Sequence, residues 1–404
     1  LENGNQINGY QGGTAVSEDG SKIIGENFYY NKLTNILEVE GNVRYIDDAK
    51  NTTITSDKAI YLKNEEKIFT KGNSKAENEN NTISASNLEY DKIQNIYKAK
   101  ENAVVKDYKK DATLYADQIT YLKNEERIFT KGKTKAFIEK KYTFKSEDVS
   151  YLRNSNKIFS QKKSSVEDDN SNIYTLDNFS YDIKDEILKG ENVDVLAKVE
   201  KNKIDRYFFS EGFFNFKDKS HIAKETKIMT HKDVFGDENH DPRLYGSTSY
   251  SDESKTIVNN ALFTSCKINN DCPPWSIKAE KITHDKIKKD MIYKNAILKI
   301  YDIPVLYFPK FFHPDPSVKR RDGFLQPQLN NSETLGSSLY IPYFKTLGHD
   351  KDLTIKPIFF EKFTKLEKEK YILQSEFRKQ NKDSFLITDF AFLRDYYSAS
   401  DKKT

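Results

Sequence analysis

Side chains that could do chemistry are sparse along this 404-residue chain. Its only cysteines, Cys266 and Cys272, stand in TSCKINNDCPPW with five residues between them, beside two prolines and the only tryptophan. Thiols so placed are inert, close a small loop, or each reach a distant partner; either kind of disulfide requires an oxidising compartment. His221, His231 and His240 have acids nearby but neither i,i+4 nor Cys-x2-Cys spacing, so no metal site is expected. No Gly-x-Ser-x-Gly occurs, and nothing sets a base beside Ser247 or Ser249. The chain therefore reads as a protein that is not an enzyme and needs no cofactor.

What remains is apolar chemistry, and composition says which elements carry it. Basic and acidic residues number 65 and 62, a net charge of +3, too small for the field that holds a nucleic-acid backbone. Charged residues at 31% with aromatics at 13% suit strands with one polar face rather than disorder. The expected class is all-β. No apolar run approaches the ~20 residues of a membrane-spanning helix, so a membrane role would require a closed β-barrel. The start, Leu1-Glu2-Asn3-Gly4, lacks a signal peptide's basic and apolar regions and reads as processed.

The first strong pattern is self-similarity. AIYLKNEEKIFTKG at Ala59 returns sixty residues later as ITYLKNEERIFTKG at Ile119, and VSYLRNSNKIFS starts at Val149. Tyr30, Tyr61, Tyr90, Tyr121, Tyr151 and Tyr181 mark a unit of about thirty residues. Two positions before each Tyr stand mostly apolar residues (Phe28, Ala59, Leu88, Ile119, Val149, Phe179), with mostly polar ones between, a strand with one buried face. Seven positions before and after each Tyr the residue is again apolar, but the earlier set is in the opposite phase. One residue is therefore inserted near Glu26, Asp57, Ser86, Asp117, Glu147 and Asp177, predicting a bulge or corner that bends every strand alike. Polar segments such as Lys63-Asn64-Glu65-Glu66 supply the turns.

Such units bury nothing alone and must stack into a rod with a continuous apolar interior. Ile54, Ile68, Leu88, Leu114, Ile119, Tyr121, Ile128, Val149, Tyr151 and Ile158 form its ladder. They either fill a core or, if the sheets splay, line a greasy groove for acyl chains; spacing leaves both open. Past Ala197 the spacing is lost, and His221 to Gly246 reads as a long polar loop.

Asp302 to Pro327, DIPVLYFPKFFHPDPSVKRRDGFLQP, divides the chain. It reads as a hinge carrying Pro304, Pro309, Lys319, Arg320, Arg321, Gly323 and Pro327. Beyond it, Leu353, Ile355, Pro357 and Phe359 alternate with Asp352, Thr354 and Lys356, and Tyr371, Leu373 and Phe377 alternate with Gln374, Glu376 and Arg378. About five long strands of this kind, with charged loops such as Lys365 to Lys370, are what an outer-membrane barrel wall looks like. That is too few to close a barrel, so the sequence reads as the opening part of a longer chain. Pro327 and Pro342 fall in the first two strands, where each removes a ladder donor and weakens pairing.

Two resemblances follow from these residues. The ladder resembles the jellyroll repeat of lipopolysaccharide transport proteins, the OstA-like domain, whose stacked bent strands carry acyl chains. The order Thr264-Ser265-Cys266, Trp275, His284-Asp285, Asn295-Ala296, Pro304-Val305, Tyr307, Pro309, Arg320-Arg321-Asp322-Gly323-Phe324-Leu325 and Pro327 is similar to the LptD family of LPS-assembly outer-membrane proteins. Asp322 departs from that family's usual Arg-Arg-Ser-Gly. The resemblance implies a jellyroll in the periplasm joined to a large barrel in a Gram-negative outer membrane, with lipopolysaccharide leaving between the first and last strands. It implies as partners an LptE-like lipoprotein plug and an LptA-like bridge of the same jellyroll fold. Cys266 falls where the family has a jellyroll cysteine that pairs beyond the barrel, while Cys272 has no clear counterpart. On this reading residues 1–20 are a flexible segment, 21–200 the jellyroll repeats, 201–318 the last jellyroll strands with loop and connector, and 319–404 the first barrel strands; the lateral gate takes in Arg320, Arg321, Gly323, Pro327 and Pro342. The competing reading is a β-solenoid adhesin or polysaccharide-acting protein. It fits less well, because the acids sit at the repeat corners and not along a cleft.

Overall fold

A computed structural model describes residues 4–197, 204–231, 240–268, 273–315, 318, 320–332, 336–360 and 371–393. The chain is all-β, as expected: among these residues the only helical segment is a single turn at Lys123–Glu125. It divides into two compact units, Leu1–His313 and Pro314–Thr404.

Most of the first unit is an antiparallel meander in which each long strand pairs with the one before and the one after. Ile36–Asp47, Thr52–Leu62, Lys67–Glu77, Asn81–Asp91, Ile96–Asp107, Ala112–Leu122 and Arg127–Ile138 follow one another in this way. Next, strands come as shorter pairs, for example Tyr142–Glu147 and Ser150–Leu152, both hydrogen-bonded to Arg127–Ile138. Long strands resume at Ile187–Ala197 and continue through Asp205–Asn215, Ser220–Met229, Arg243–Ser251, Lys255–Thr264, Trp275–Asp285 and Asp290–Ile300. The stretch His221 to Gly246 is thus mainly strand at both ends, because Ala223, Thr226 and Ile228 turn inward.

The inserted residue is where the change of phase puts it. Pairing shifts between Thr55 and Lys58, between Ser84 and Asn87, and between Ala116 and Gln118. At the equivalent places, Glu26, Asp148-Val149 and Asp177, the strand is interrupted instead. Neighbouring strands kink at the same height, through Gly41-Asn42, Gly72-Asn73 and Glu101-Asn102, all at positive φ. The corner acids are held there: Asn42 Nδ2 donates to Glu26 at 2.7 Å, Asn73 to Asp57 at 2.9 Å and Asn192 to Asp177 at 2.7 Å. Gly72 needs its missing side chain twice over, since its φ is +76° and a Cβ would lie 2.3 Å from the Asp57 carboxylate.

Each strand therefore has two legs about its corner, and both legs bury into one interior. Ile54, Leu114 and Phe144 from one leg share a cluster with Tyr61, Ile119, Tyr121 and Tyr151 from the other. Tyrosines stack along it, Tyr90 on Tyr97 at 4.4 Å and Tyr97 on Tyr121 at 6.1 Å between centroids. A second cluster, with Ile228, Val258, Ile282 and Tyr293, continues the interior, Tyr207 touching both.

Gly72→Ala should destabilise the chain by about 1–2 kcal/mol, from the left-handed backbone conformation alone, as read by urea unfolding in detergent. His221 gives a second handle. Its ring lies between Phe209 and Phe214, with centroids at 5.2 and 5.8 Å. Burial, with a smaller push from Lys286, lowers its pKa to about 4. The unfolded chain then binds the extra proton first, so stability is intact above pH 6.5 and is lost as pH falls from there to about 4. The loss is on the order of 3 kcal/mol; His221→Phe should abolish that slope in pH-dependent melts.

Candidate functional site

Every ladder position ends inside the first unit. Ile68, Leu114, Ile128, Tyr151 and Ile158 are 0% exposed; Ile54, Ile119, Tyr121, Leu88 and Val149 are at most 2%. The interior is closed, with the two legs in contact along its length.

At the mouth, where the free ends of the legs meet opposite the corner, the closure is polar. The tyrosine legs end in turns, and three ladder hydroxyls reach them: Tyr30 donates to Asn35 at 2.9 Å, Tyr90 to Asn95 at 3.4 Å and Tyr121 to Glu126 at 3.0 Å. From these turns cations cross to the opposite leg. Lys63 meets Glu18 at 3.0 Å. Lys92, with a side chain only 4% exposed, meets Asp19 across the mouth at 2.6 Å and Glu66, in the neighbouring turn of its own leg, at 2.7 Å. Lys123 donates to the Lys50 carbonyl at 2.7 Å and Thr52 Oγ1 at 3.2 Å. Arg153 Nε meets Asp107 at 2.7 Å, and Nη1 meets Glu126. In the reverse direction Lys50 donates to the Lys92 carbonyl, and Thr52 shares a 2.8 Å hydrogen bond with Tyr97.

The electrostatics of these crossings differ. Asp107, fully buried, also accepts from Tyr151 at 3.1 Å and from the amides of Lys109 and Lys110. Lys92 beside Asp19 holds that carboxyl far below the usual carboxylate range. Lys123 hydrogen-bonds neutral oxygens, and burial pushes its ammonium pKa down. These cations escape the apolar alternation, yet their position is periodic: two residues after each ladder tyrosine stand Lys32, Lys63, Lys92, Lys123 and Arg153, and only the last copy breaks the series, with Ile183.

The second unit has the opposite polarity. Its strands are Gly323–Phe324, Gln328–Ser332, Gly336–Tyr340, Tyr343–Thr346, Lys351–Phe360, Tyr371–Gln380 and Phe385–Leu393. Register aligns Pro357 with Leu373 and Phe392, Ile355 with Ser375 and Phe390, and Phe359 with Tyr371. That face lies open: Phe359 is 50%, Tyr371 49%, Phe390 62% and Phe392 49% exposed. The other face carries Asp352 and Thr354, buried, with Lys356 paired to Glu376 at 2.7 Å and Arg378 to Asp352 at 2.8 Å. Ile358 and Ile372, which face each other, and Phe344, Phe385 and Ile387 are apolar exceptions on that side. The alternation read from the sequence over Leu353–Phe359 and Tyr371–Arg378 is the alternation observed; the Lys365 to Lys370 loop lies outside the described residues.

The remaining site residues scatter. Pro304 and Pro309 are exposed within a strand, Ile303–Pro314, whose Phe311 and His313 pack on Tyr293. The expected hinge is thus strand up to Pro314, because Phe308 and Phe311 extend the second core cluster. Lys319 lies outside the described residues. Arg320 binds Asp352 at 2.7 Å and the His349 carbonyl at 2.7 Å, and with Arg321, Phe344 and Phe385 it lines a hollow of about 550 Å³. Gly323 pairs with Phe344. Pro327 and Pro342 stand between strands and not inside them. They split two facing strands at one level, giving seven strands in place of five, and the Leu325 amide donates to the Pro342 carbonyl at 2.8 Å. Cys266, half-buried, has its thiol 3.7 Å from the Trp275 carbonyl; Cys272 lies outside the described residues. His231 faces Asp205 at 2.9 Å.

No family model matches the chain. Curated relatives named LPS-assembly protein LptD do: one from Pseudoalteromonas translucida is 33% identical over 127 residues, one from Shewanella oneidensis 35% over 134, and one from Idiomarina loihiensis 26% over 134. These alignments take in 31–33% of this chain but only 16–17% of each relative. The resemblance carried by the sequence motifs is thus met by homologues of that name. Among solved structures, the crystal structure of LptH, the LptA-homologous periplasmic component of the lipopolysaccharide transport device of Pseudomonas aeruginosa, aligns at 16% identity and a TM-score of 0.24, over 25% of this chain and 75% of that one.

Arg153→Met strips one partner from a buried carboxylate. It should cost about 3 kcal/mol, the low end of the range for broken buried pairs because Tyr151 and two amides still hold Asp107. Adding Asp107→Leu should restore most of the loss in a double-mutant cycle by denaturant unfolding.

Proposed function

We propose that the chain transports lipopolysaccharide to the outer membrane and does not transform it. The observation that carries this reading is the reversal of polarity between the units: apolar residues face inward along the first and outward on the second. A sheet with exposed aromatics on one face and ion pairs on the other matches a wall between lipid and a polar lumen. On this reading the second unit holds the first strands of a large outer-membrane barrel, with a lipoprotein of the LptE kind as its plug. The first unit stands in the periplasm. Its outermost strands, Gln6–Gly9 and Gly13–Val16, each pair on one side only among the described residues; such edges suit pairing with a bridge of the LptA kind. Lipid acyl chains then run along the ladder after the legs part. Pro327 and Pro342 weaken the facing strands of the second unit and mark the lateral gate. Cys266 would act as a disulfide anchor in the oxidising periplasm, to Cys272 or to a more distant thiol.

A second reading has the closed interior for its support. Ladder residues at 0–2% exposure suit a surface protein with a filled core and no ligand. A photo-crosslinking residue in place of Ile119 or Tyr121 decides between them in cells. The transport reading expects a lipopolysaccharide adduct there and none at outward-facing Tyr115; no adduct at either interior site favours the filled core. For the gate, Pro342→Ala adds a donor to the weakened level and should slow the appearance of new lipopolysaccharide at the cell surface severalfold. Unchanged export would remove the gate from the account.

A further inference from the structure

The cations at the mouth recur more faithfully than their acceptors do. Lys63, Lys92, Lys123 and Arg153 occupy one repeat position, and Glu66 and Glu126, which meet Lys92 and Arg153 from the neighbouring turn of the same leg, share another; what the cations touch on the opposite leg changes from Glu18 to Asp19, to a carbonyl and a hydroxyl, to Asp107. If these side chains served only to pin the legs together, the acceptor on the opposite leg would be repeated with the cation, since both stand on repeated strands. Successive rungs are two strands apart, roughly 9–10 Å, and they line the mouth of a continuous apolar interior. Two acceptors stand outside the strands: Glu18 and Asp19 lie in the segment between the strands Gly13–Val16 and Lys22–Gly25, with side chains 91% and 48% exposed. Lys123 has neutral hydrogen-bond partners and keeps a charge to offer.

We infer that this row binds the phosphate groups of an anionic lipid headgroup. The inference rests on the proposed passage of acyl chains through the interior, and adds what holds the other end of the molecule. In the closed state the cations bridge the mouth; when the legs part, each exchanges its acceptor for a phosphate oxygen through charge-assisted hydrogen bonds. Opening then strands no buried ammonium, because phosphate replaces what the opposite leg supplied. A headgroup advancing along the mouth meets a cation at every repeat, so its charge is handed on as its chains slide.

The test uses the full chain in detergent micelles with a photo-crosslinking residue at Ile119. The probes are purified lipopolysaccharide and the same lipid with its phosphates removed by hydrofluoric acid. Lys92→Gln with Lys123→Gln and Arg153→Gln should cut capture of the phosphorylated lipid at least tenfold and leave the dephosphorylated lipid unchanged. Lys123→Gln alone, which strands no carboxylate, should give a partial loss that Lys123→Arg restores, and Lys109→Gln, outside the row, none. Tenfold molar excess of inorganic phosphate should not compete, since it brings no acyl chains; competition would assign the row to a free anion and overturn the inference. An equal loss for both lipids would make the row a structural clasp only, and no loss would remove it from binding, leaving the interior route intact in either case. Failure of the unsubstituted chain to capture either lipid would overturn the interior route, and the row's role with it.

Discussion

One extra residue per strand governs the first unit. Without it, Leu114 and Ile119 would point to opposite faces of Ala112–Leu122, for side chains alternate with a period of two. The shift at Asp117 brings both inside. Repeated in every unit, it folds a flat meander into two legs with a shared interior, and it dictates what the corner and the mouth contain. Corners collect residues that tolerate positive φ, with acids to hold them, because a kinked backbone leaves donors that need partners. Mouths collect long cations, because a Lys or Arg stem spans from one leg to the other while covering apolar surface.

On the transport reading the second unit answers to a different solvent. Ion pairs such as Lys356–Glu376 and Arg378–Asp352 lie on the more buried face of a sheet whose aromatics are exposed. In water this arrangement wastes apolar area; against hydrocarbon it is the stable one. The exceptions, Phe344, Ile358, Ile372, Phe385 and Ile387, sit on the ion-pair side without interrupting the aromatic rows of the other. Both units use the same alternating strand and, on this reading, differ in which side of it faces water.

Much of this was legible in the residues because alternation is a local signal. The corner positions followed from counting the phase of apolar residues around each tyrosine, and the aromatic face beyond Leu353 from the same counting. The mouth was not legible, since Lys92 and Asp19, or Arg153 and Asp107, are joined only once distant strands are stacked, and no pattern within one strand names the pair. The repeated cation two residues past each tyrosine was the available clue. Pro327 and Pro342 were misplaced for a related reason: a proline's missing donor is a local fact, whereas the level at which two facing strands break together depends on their register.

The central claim is that the closed interior opens to take lipid chains, and the separation of its legs is the quantity to measure. Spin labels at Glu125 on the tyrosine leg and Lys109 on the opposite leg, in a chain whose own cysteines are replaced by serine, report it by double electron–electron resonance. Addition of lipopolysaccharide should lengthen the distance by several ångströms as the crossings at Lys92, Lys123 and Arg153 part. A distance distribution identical with and without saturating lipid would contradict the account.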